Sequence, residues 1–274
     1  MEMMFTSAQT FGTKTSSNIC IHIVATKGTG LILQRYPQLR RAEIFEFTDS
    51  NSDVVENNAL AVPQIVARSK ALSWYLGHKH KRHTVVLDTD VLVVNSFERV
   101  FQYEWDVALS NTNVGHALIN NGVVLVHRDG HKAGQLLFNE FHNEQMRISS
   151  STSCASGCLD EQAAVEWTVN NYSRTVIIPQ TRLKPEFRCR YLQGLPNSTG
   201  VVSVLLLPWT EYNEIPSRAG RHTSFVHFKG PRKSLMHTWF TQLMAEGFSA
   251  KMALLKDAKR KGGGRVKRAT PQSC

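Results

Sequence analysis

Short apolar runs bounded by polar or turn residues recur along the chain, with helical patterns between several of them, and this alternation constrains the fold most. Extended segments are expected at Ile19 to Ala25, Glu43 to Phe47, Thr84 to Leu87, Asp106 to Ser110, Gly122 to His127, Thr175 to Pro179, Val201 to Leu207 and Ser224 to His227. Helices are expected over Pro63 to Leu76, where Ile65, Leu72 and Leu76 can share a face, over Lys132 to Met146 and over Asp160 to Val169. The Gly- and Pro-containing stretch Arg182 to Gly200 reads as loop. Strands alternating with helices argue for an α/β domain with a mixed, mostly parallel central sheet flanked by helices. At 274 residues, with 42% hydrophobic and 20% charged positions, one such domain with a sizeable core accounts for most of the chain. The expected organisation is an N-terminal extension over 1–16, a folded domain over 17–255 and a flexible basic tail over 256–274.

A formal charge of +10 suits polyanions, but much of it lies in Lys79 to His83 and in the run Lys256 to Arg268, which three consecutive glycines interrupt. The run suits contact with an anionic surface as well as plain solvation. No aromatic residue is interleaved with its charges, so the stacking expected of a single-strand binder is missing. Cys20, Cys154, Cys158, Cys189 and Cys274 are too sparse for a disulfide framework, and Cys154 with Cys158 lacks the second pair of a structural zinc site. Asn171-Tyr-Ser and Asn197-Ser-Thr match glycosylation triplets, which matter only in a secretory lumen. The segment MEMMFTSAQTFGTK has neither the basic start nor the apolar core of a signal peptide, and no apolar stretch reaches the roughly 20 residues that span a bilayer. As written, the chain is expected to be soluble, cytoplasmic by default, or lumenal if a natural anchor precedes it.

The stretch Thr84-Val-Val-Leu-Asp-Thr-Asp-Val-Leu-Val-Val94 carries the most chemistry. Asp88 and Asp90 stand two apart inside an apolar run, and on an extended segment such side chains project to one side. Two like charges buried together are costly, and their repulsion would drive one to take up a proton. A divalent cation removes both difficulties, and hard oxygen ligands favour Mg²⁺ or Mn²⁺ completed by substrate phosphates. The plainer alternative is a strand end whose aspartates cap a turn or meet a lysine.

A second cluster, Phe225-Val-His-Phe-Lys-Gly-Pro-Arg-Lys233, delivers a histidine from an apolar strand and then a Gly-Pro turn among basic side chains. The turn lets backbone approach an anion closely, Lys233 can supply charge and His227 can add a nitrogen ligand. A core histidine beside an ordinary turn is the alternative.

Together these segments resemble the retaining family-8 glycosyltransferases, which include glycogenin and the bacterial lipooligosaccharide galactosyltransferases, over roughly Arg68 to Lys233. Asp88-Thr89-Asp90 is similar to that family's metal-binding D-x-D element, and His227, Gly230 and Lys233 match its H-x-x-G-x-x-K signature. The resemblance implies that Asp88, Asp90 and His227 ligate the metal while Thr89, Gly230 and Lys233 flank the donor diphosphate. Arg68-Ser-Lys70 resembles the donor-binding helix, with Arg68 and Lys70 holding the donor sugar or its diphosphate. Asn120-Asn-Gly resembles the N-x-G strand, whose asparagine faces the sugar, and Asp160-Glu161-Gln162 resembles the acidic motif beside the transferred group. The sequence departs from the family at Ser234-Leu235, where Pro-Trp is usual, and at Glu161, which stands in the place of a glutamine.

The resemblance implies a GT-A (Rossmann-like) fold, Mn²⁺ or Mg²⁺ as cofactor, and a UDP-sugar as donor. The acceptor, whether carbohydrate, glycolipid or protein, stays open. A nucleotidyltransferase would want a Gly-rich phosphate loop near the first strand, and Thr26-Lys-Gly-Thr-Gly30 lacks the Walker ending. A binding module that has lost catalysis is the remaining alternative.

Overall fold

The computed structural model describes residues 3, 7–8, 22–26, 43–47, 62–78, 82–111, 119–150, 161–174 and 188–246. Thr175 to Pro179, Asp160, the tail over 256–274 and every cysteine except Cys189 lie outside them. Cys189 is a free, half-buried thiol, and burial pushes its proton affinity up.

The first described strands, β1 (His22–Thr26) and β2 (Glu43–Phe47), run parallel, paired from His22 opposite Glu43 to Thr26 opposite Phe47. Helix α1 (Val62–Leu76) follows, with Pro63 in its first turn, where a missing N–H costs nothing. Its Tyr75 meets β1 and β2 through rings, against His22 and Phe45, and shares a hydrogen bond with His22.

The central sheet has six strands in the order β3-β6-β5-β9-β8-β7. These are β3 (Thr84–Leu87), β5 (Val107–Asn111), β6 (Ile119–Val126), β7 (Ser173–Arg174), β8 (Arg188–Leu192) and β9 (Val202–Leu207). Helices α2 (His131–Ser150) and α3 (Glu161–Tyr172) lie between β6 and β7 in sequence. A mixed sheet flanked by helices is what the sequence leads one to expect, but parallel pairing is less extensive. Among the described residues only β1 with β2 and β5 with β9 run parallel, while the other strand pairs are antiparallel. The reason is connection length. Residues 112–118 and 193–201 are all that join β5 to β6 and β8 to β9, too short for the crossover of about a dozen residues that parallel neighbours need. The second correction is β8 itself, which lies inside the stretch expected to be loop. Its arginines weaken the apolar signal, yet it pairs with β9 from Arg188 opposite Leu206 to Leu192 opposite Val202.

Alternating side chains separate two cores. Val107, Leu109, Val124, Val126, Val204 and Leu206 face the helices, where Leu76 of α1, Phe138 and Phe141 of α2 and Val165 of α3 cover them. Each such large apolar side chain, fully buried, is worth about 1.5–3 kcal/mol. The opposite face, with Ala108, Val123, Leu125, Leu205 and Leu207, packs on a smaller layer. That layer is β4 (Val91–Val93) paired antiparallel with β10 (Phe225–His227), beside a 3-10 turn at Glu98–Gln102 and a short helix α4 (Trp209–Tyr212). On its far side Leu92, Val94, Val226 and Phe228 meet Met236, Trp239 and Leu243 of the last described helix, α5 (236–246). Ser7 is buried there, its Oγ accepting a hydrogen bond from the N–H of Val93 at 3.1 Å. No described helix is long and apolar enough to cross a membrane.

Candidate metal centre

Asp88 and Asp90 occupy the passage between layers. The chain leaves the six-stranded sheet at Leu87 and enters the two-stranded one at Val91, and the N–H of Val91 bonds back to the carbonyl of Asp88 at 3.1 Å. The segment is therefore a tight turn rather than the extended run expected from i, i+2 spacing. The turn, not the pleat of a strand, brings the two carboxylates together. Thr89, at its tip, is exposed.

The third member arrives by register. His227 is paired with Val91 across β10 and β4, and the N–H of Phe228 bonds to the carbonyl of Asp90 at 2.9 Å. This sets His227 Nε2 at 3.1 Å from Asp90 Oδ1 and 3.7 Å from Asp88 Oδ2. Among the described residues Asp88, Asp90 and His227 form a group whose ligating atoms lie within 4.8 Å of one another. Two carboxylate oxygens and one imidazole nitrogen suit a hard-to-intermediate divalent cation such as Mn²⁺ or Mg²⁺.

A bulge opens the space they share. Leu109 pairs with Val124, but the next pair is Ser110 with Asn120, so Asn121, Gly122 and Val123 are extra on β6. The carbonyl of Gly122 accepts the N–H of Asp88 at 2.9 Å. A Cβ at position 122 would lie 2.8 Å from Asp88 Oδ2 and 2.9 Å from His227 Nδ1, with Cε1 closer still. Only glycine permits that approach. Asn120 holds the bulge, its Oδ1 accepting the N–H of Gly122 at 3.0 Å and its carbonyl accepting Ser110 Oγ–H at 2.9 Å. Beside it, Asn121 Nδ2 is buried with no hydrogen-bond partner among the described residues.

Basic side chains surround the aspartates. Arg68 of α1 places Nη2 at 3.0 Å from Asp88 Oδ1 and donates to the carbonyl of Asn121 at 2.8 Å, which ties the helix to both. Lys233, 64% exposed, reaches Asp90 Oδ2 at 3.1 Å from the 3-10 turn Gly230–Leu235. Gly230 opens that turn with φ 57°, a left-handed conformation that glycine adopts without strain. Burial raises the proton affinity of Asp90, but hydrogen bonds and charge from His227 and Lys233 outweigh it and hold the carboxyl at about 2. Lys229, missed in the sequence, is half-buried near both aspartates; burial lowers its proton affinity, against their attraction.

Asn213, just past α4, was also missed. Its Oδ1 stands 2.9 Å from His227 Nδ1. No motif surrounds it, and only the fold reveals its place.

The remaining expected site residues are placed less completely. Lys70 is half-buried on α1, two residues after Arg68, and Gln162 is half-buried in the first turn of α3. Glu161 begins α3, and only its backbone is described.

No protein-family profile matches the chain, and no curated protein does. Among solved structures it is similar to a glycosyltransferase involved in the glycosylation of the major capsid of the virus PBCV-1, with TM-score 0.39 and 15% identity over 80% of this chain and 100% of that one. It is also similar to the apo-form glycosyltransferase GlyE of Streptococcus pneumoniae TIGR4, with TM-score 0.37 and 10% identity over 61% of this chain and 39% of that one.

Proposed function

We propose that this chain is a metal-dependent glycosyltransferase of the GT-A type that moves a hexose, glucose or galactose, from a UDP-sugar to an acceptor with retention of configuration. The observation that carries the proposal is the company the aspartates keep. Asp88 and Asp90 share their surroundings with His227 and with three basic side chains, Arg68, Lys229 and Lys233. A site meant only for a cation would gain nothing from that much positive charge. A cation together with a diphosphate uses both.

Asp88, Asp90 and His227 would hold Mn²⁺ or Mg²⁺, which when bound offsets negative charge on the donor diphosphate. Lys233 and Arg68, already at the carboxylate oxygens, would turn to phosphate oxygens, and Lys70 would support them. Gly230 would let the backbone of the last turn approach the phosphates. Asn120, Asp160, Glu161 and Gln162 are assigned to the sugar and acceptor side through the motif resemblance. As the nucleoside diphosphate leaves, charge grows on its oxygens, so fixed cations stabilise the transition state more than the ground state.

Calorimetry with UDP, in Mn²⁺ and in chelator, tests the proposal. Tight binding only with Mn²⁺, lost in Asp88→Asn and Asp90→Asn, is expected. Equal affinity in chelator would remove the metal role. Hydrolysis of a UDP-hexose panel, with and without Mn²⁺, then identifies the donor.

A further inference from the structure

We infer that Asn213 is the positioning residue that sets His227 to present a bare Nε2 to the metal. This rests on the metal role proposed above for Asp88, Asp90 and His227. A carboxamide oxygen has no proton to give, so Asn213 Oδ1, 2.9 Å from His227 Nδ1, can bond that nitrogen only when it carries a proton. When a cation takes the place of the hydrogen bond between Nε2 and Asp90, the ring keeps Nδ1–H on Asn213 and offers its lone pair from Nε2, the nitrogen that faces Asp90 Oδ1 at 3.1 Å and Asp88 Oδ2 at 3.7 Å. The opposite tautomer would spend Nε2–H on Asp90 and could not ligate. A metal-bound imidazole generally needs such a partner on its other nitrogen.

Asn213 is well placed to impose this. It is 6% exposed, and its side chain reaches a histidine that is itself 3% exposed, so water does not compete for Nδ1. Its backbone is held without help from the side chain. The N–H of Asn213 bonds to the carbonyl of Trp209 at 2.9 Å. Next to it, Glu214 donates to the carbonyl of Phe225 at 3.2 Å and accepts from the N–H of His227 at 2.8 Å. Changing the Asn213 side chain therefore leaves the docking of this segment on β10 intact.

The test uses the full chain labelled with ¹⁵N at histidine and saturated with Mg²⁺, a diamagnetic stand-in for Mn²⁺. Long-range ¹⁵N–¹H spectra then report the tautomer of His227, assigned with a His227→Gln control. The wild-type ring is expected in the Nδ1–H form. Asn213→Leu, which leaves Nδ1–H without an acceptor, should weaken Mn²⁺ binding, measured by calorimetry with Mn²⁺ alone, by on the order of 10–100-fold. Asn213→Asp, which still accepts from Nδ1–H, should keep the wild-type tautomer and recover most of that affinity. An Nε2–H ring in the wild type overturns the inference whether or not any variant folds. Wild-type binding of Mn²⁺ matched by Asn213→Leu overturns the role of Asn213 while leaving the metal centre in place. A wild-type protein that takes up no Mn²⁺ removes the metal centre, and this inference with it.

Discussion

At the scale of single residues, the oxygens of Asp88 and Asp90 are already engaged, since Arg68, His227 and Lys233 all reach them. A metal ion must therefore displace positive charge before it can bind. Lys233 is the most exposed of these groups and the easiest to move. Lys233→Ala should bind Mn²⁺ at least as well as wild type in the absence of donor, yet lose on the order of 10²-fold in turnover through the missing charge on the leaving diphosphate. His227→Ala should behave differently, losing Mn²⁺ and donor affinity together and recovering part of its activity at high Mn²⁺. Steady-state hydrolysis across a Mn²⁺ titration separates the two, and near-normal turnover in Lys233→Ala would dismiss the phosphate role of that turn. That the aspartates, His227, Arg68 and Lys233 would come together was legible in the sequence, because each carries a charge or lone pair within a short pattern. Asn213 was not, since nothing in Trp209-Thr-Glu-Tyr-Asn213 marks an amide as the partner of a ring 14 residues later.

At the scale of elements, the bulge on β6 decides whether the centre can close. Gly122→Ala keeps the strand's pairing pattern but places a methyl group against Asp88 and His227. Relieving that contact should cost about 1–3 kcal/mol, as overpacking does, and lower Mn²⁺ affinity at least tenfold, with the circular dichroism spectrum unchanged. Wild-type Mn²⁺ affinity in this variant would show that the strand yields freely. A different junction, where β3 begins, responds to acid. The ring of His83 lies between Phe101 and His127, and its Nδ1 accepts the N–H of Arg128 at 3.2 Å. Partial burial first, then His127, Arg128 and His131 against the opposing Asp129, lower its pKa from 6.5 to about 4. The unfolded chain thus binds the proton that the folded chain refuses, and stability falls as pH drops from 6.5 towards 4, with no further loss from this group below that. Asp90 acts in a lower window, its contribution being present above 3.8 and lost as pH falls through about 2. Melting temperatures of wild type and His83→Asn between pH 7 and 4 check the first window. The variant should show the smaller decline, and parallel curves would place the acid sensitivity elsewhere. The element pattern itself was mostly readable, because buried strands such as β6 and β9 contain apolar runs, Val123 to Val126 and Val204 to Leu207. The direction of pairing follows from how short the connectors are, and β8 was hidden by its polar residues.

At the scale of the whole molecule, the layers are stacked so that the proposed metal centre lies where the six-stranded sheet hands the chain to the two-stranded one. The basic tail has no assigned part in this arrangement, so truncation after Leu255 should leave the hydrolysis rate nearly unchanged. A collapse of activity in a variant that still folds would bring the tail into the site. Within the stack, the order of the ligands along the chain has a further consequence. His227 follows Asp90 by 137 residues, and β10, which carries it, is the last of the described strands in chain order. A chain emerging from the ribosome exposes its two aspartates long before their histidine exists, and Arg68 is the only one of their basic partners yet synthesised. Under the proposed function, the three ligands and the basic turn stand together only once residues 227–233 have been made, so a shorter nascent chain holds neither the metal nor the donor diphosphate.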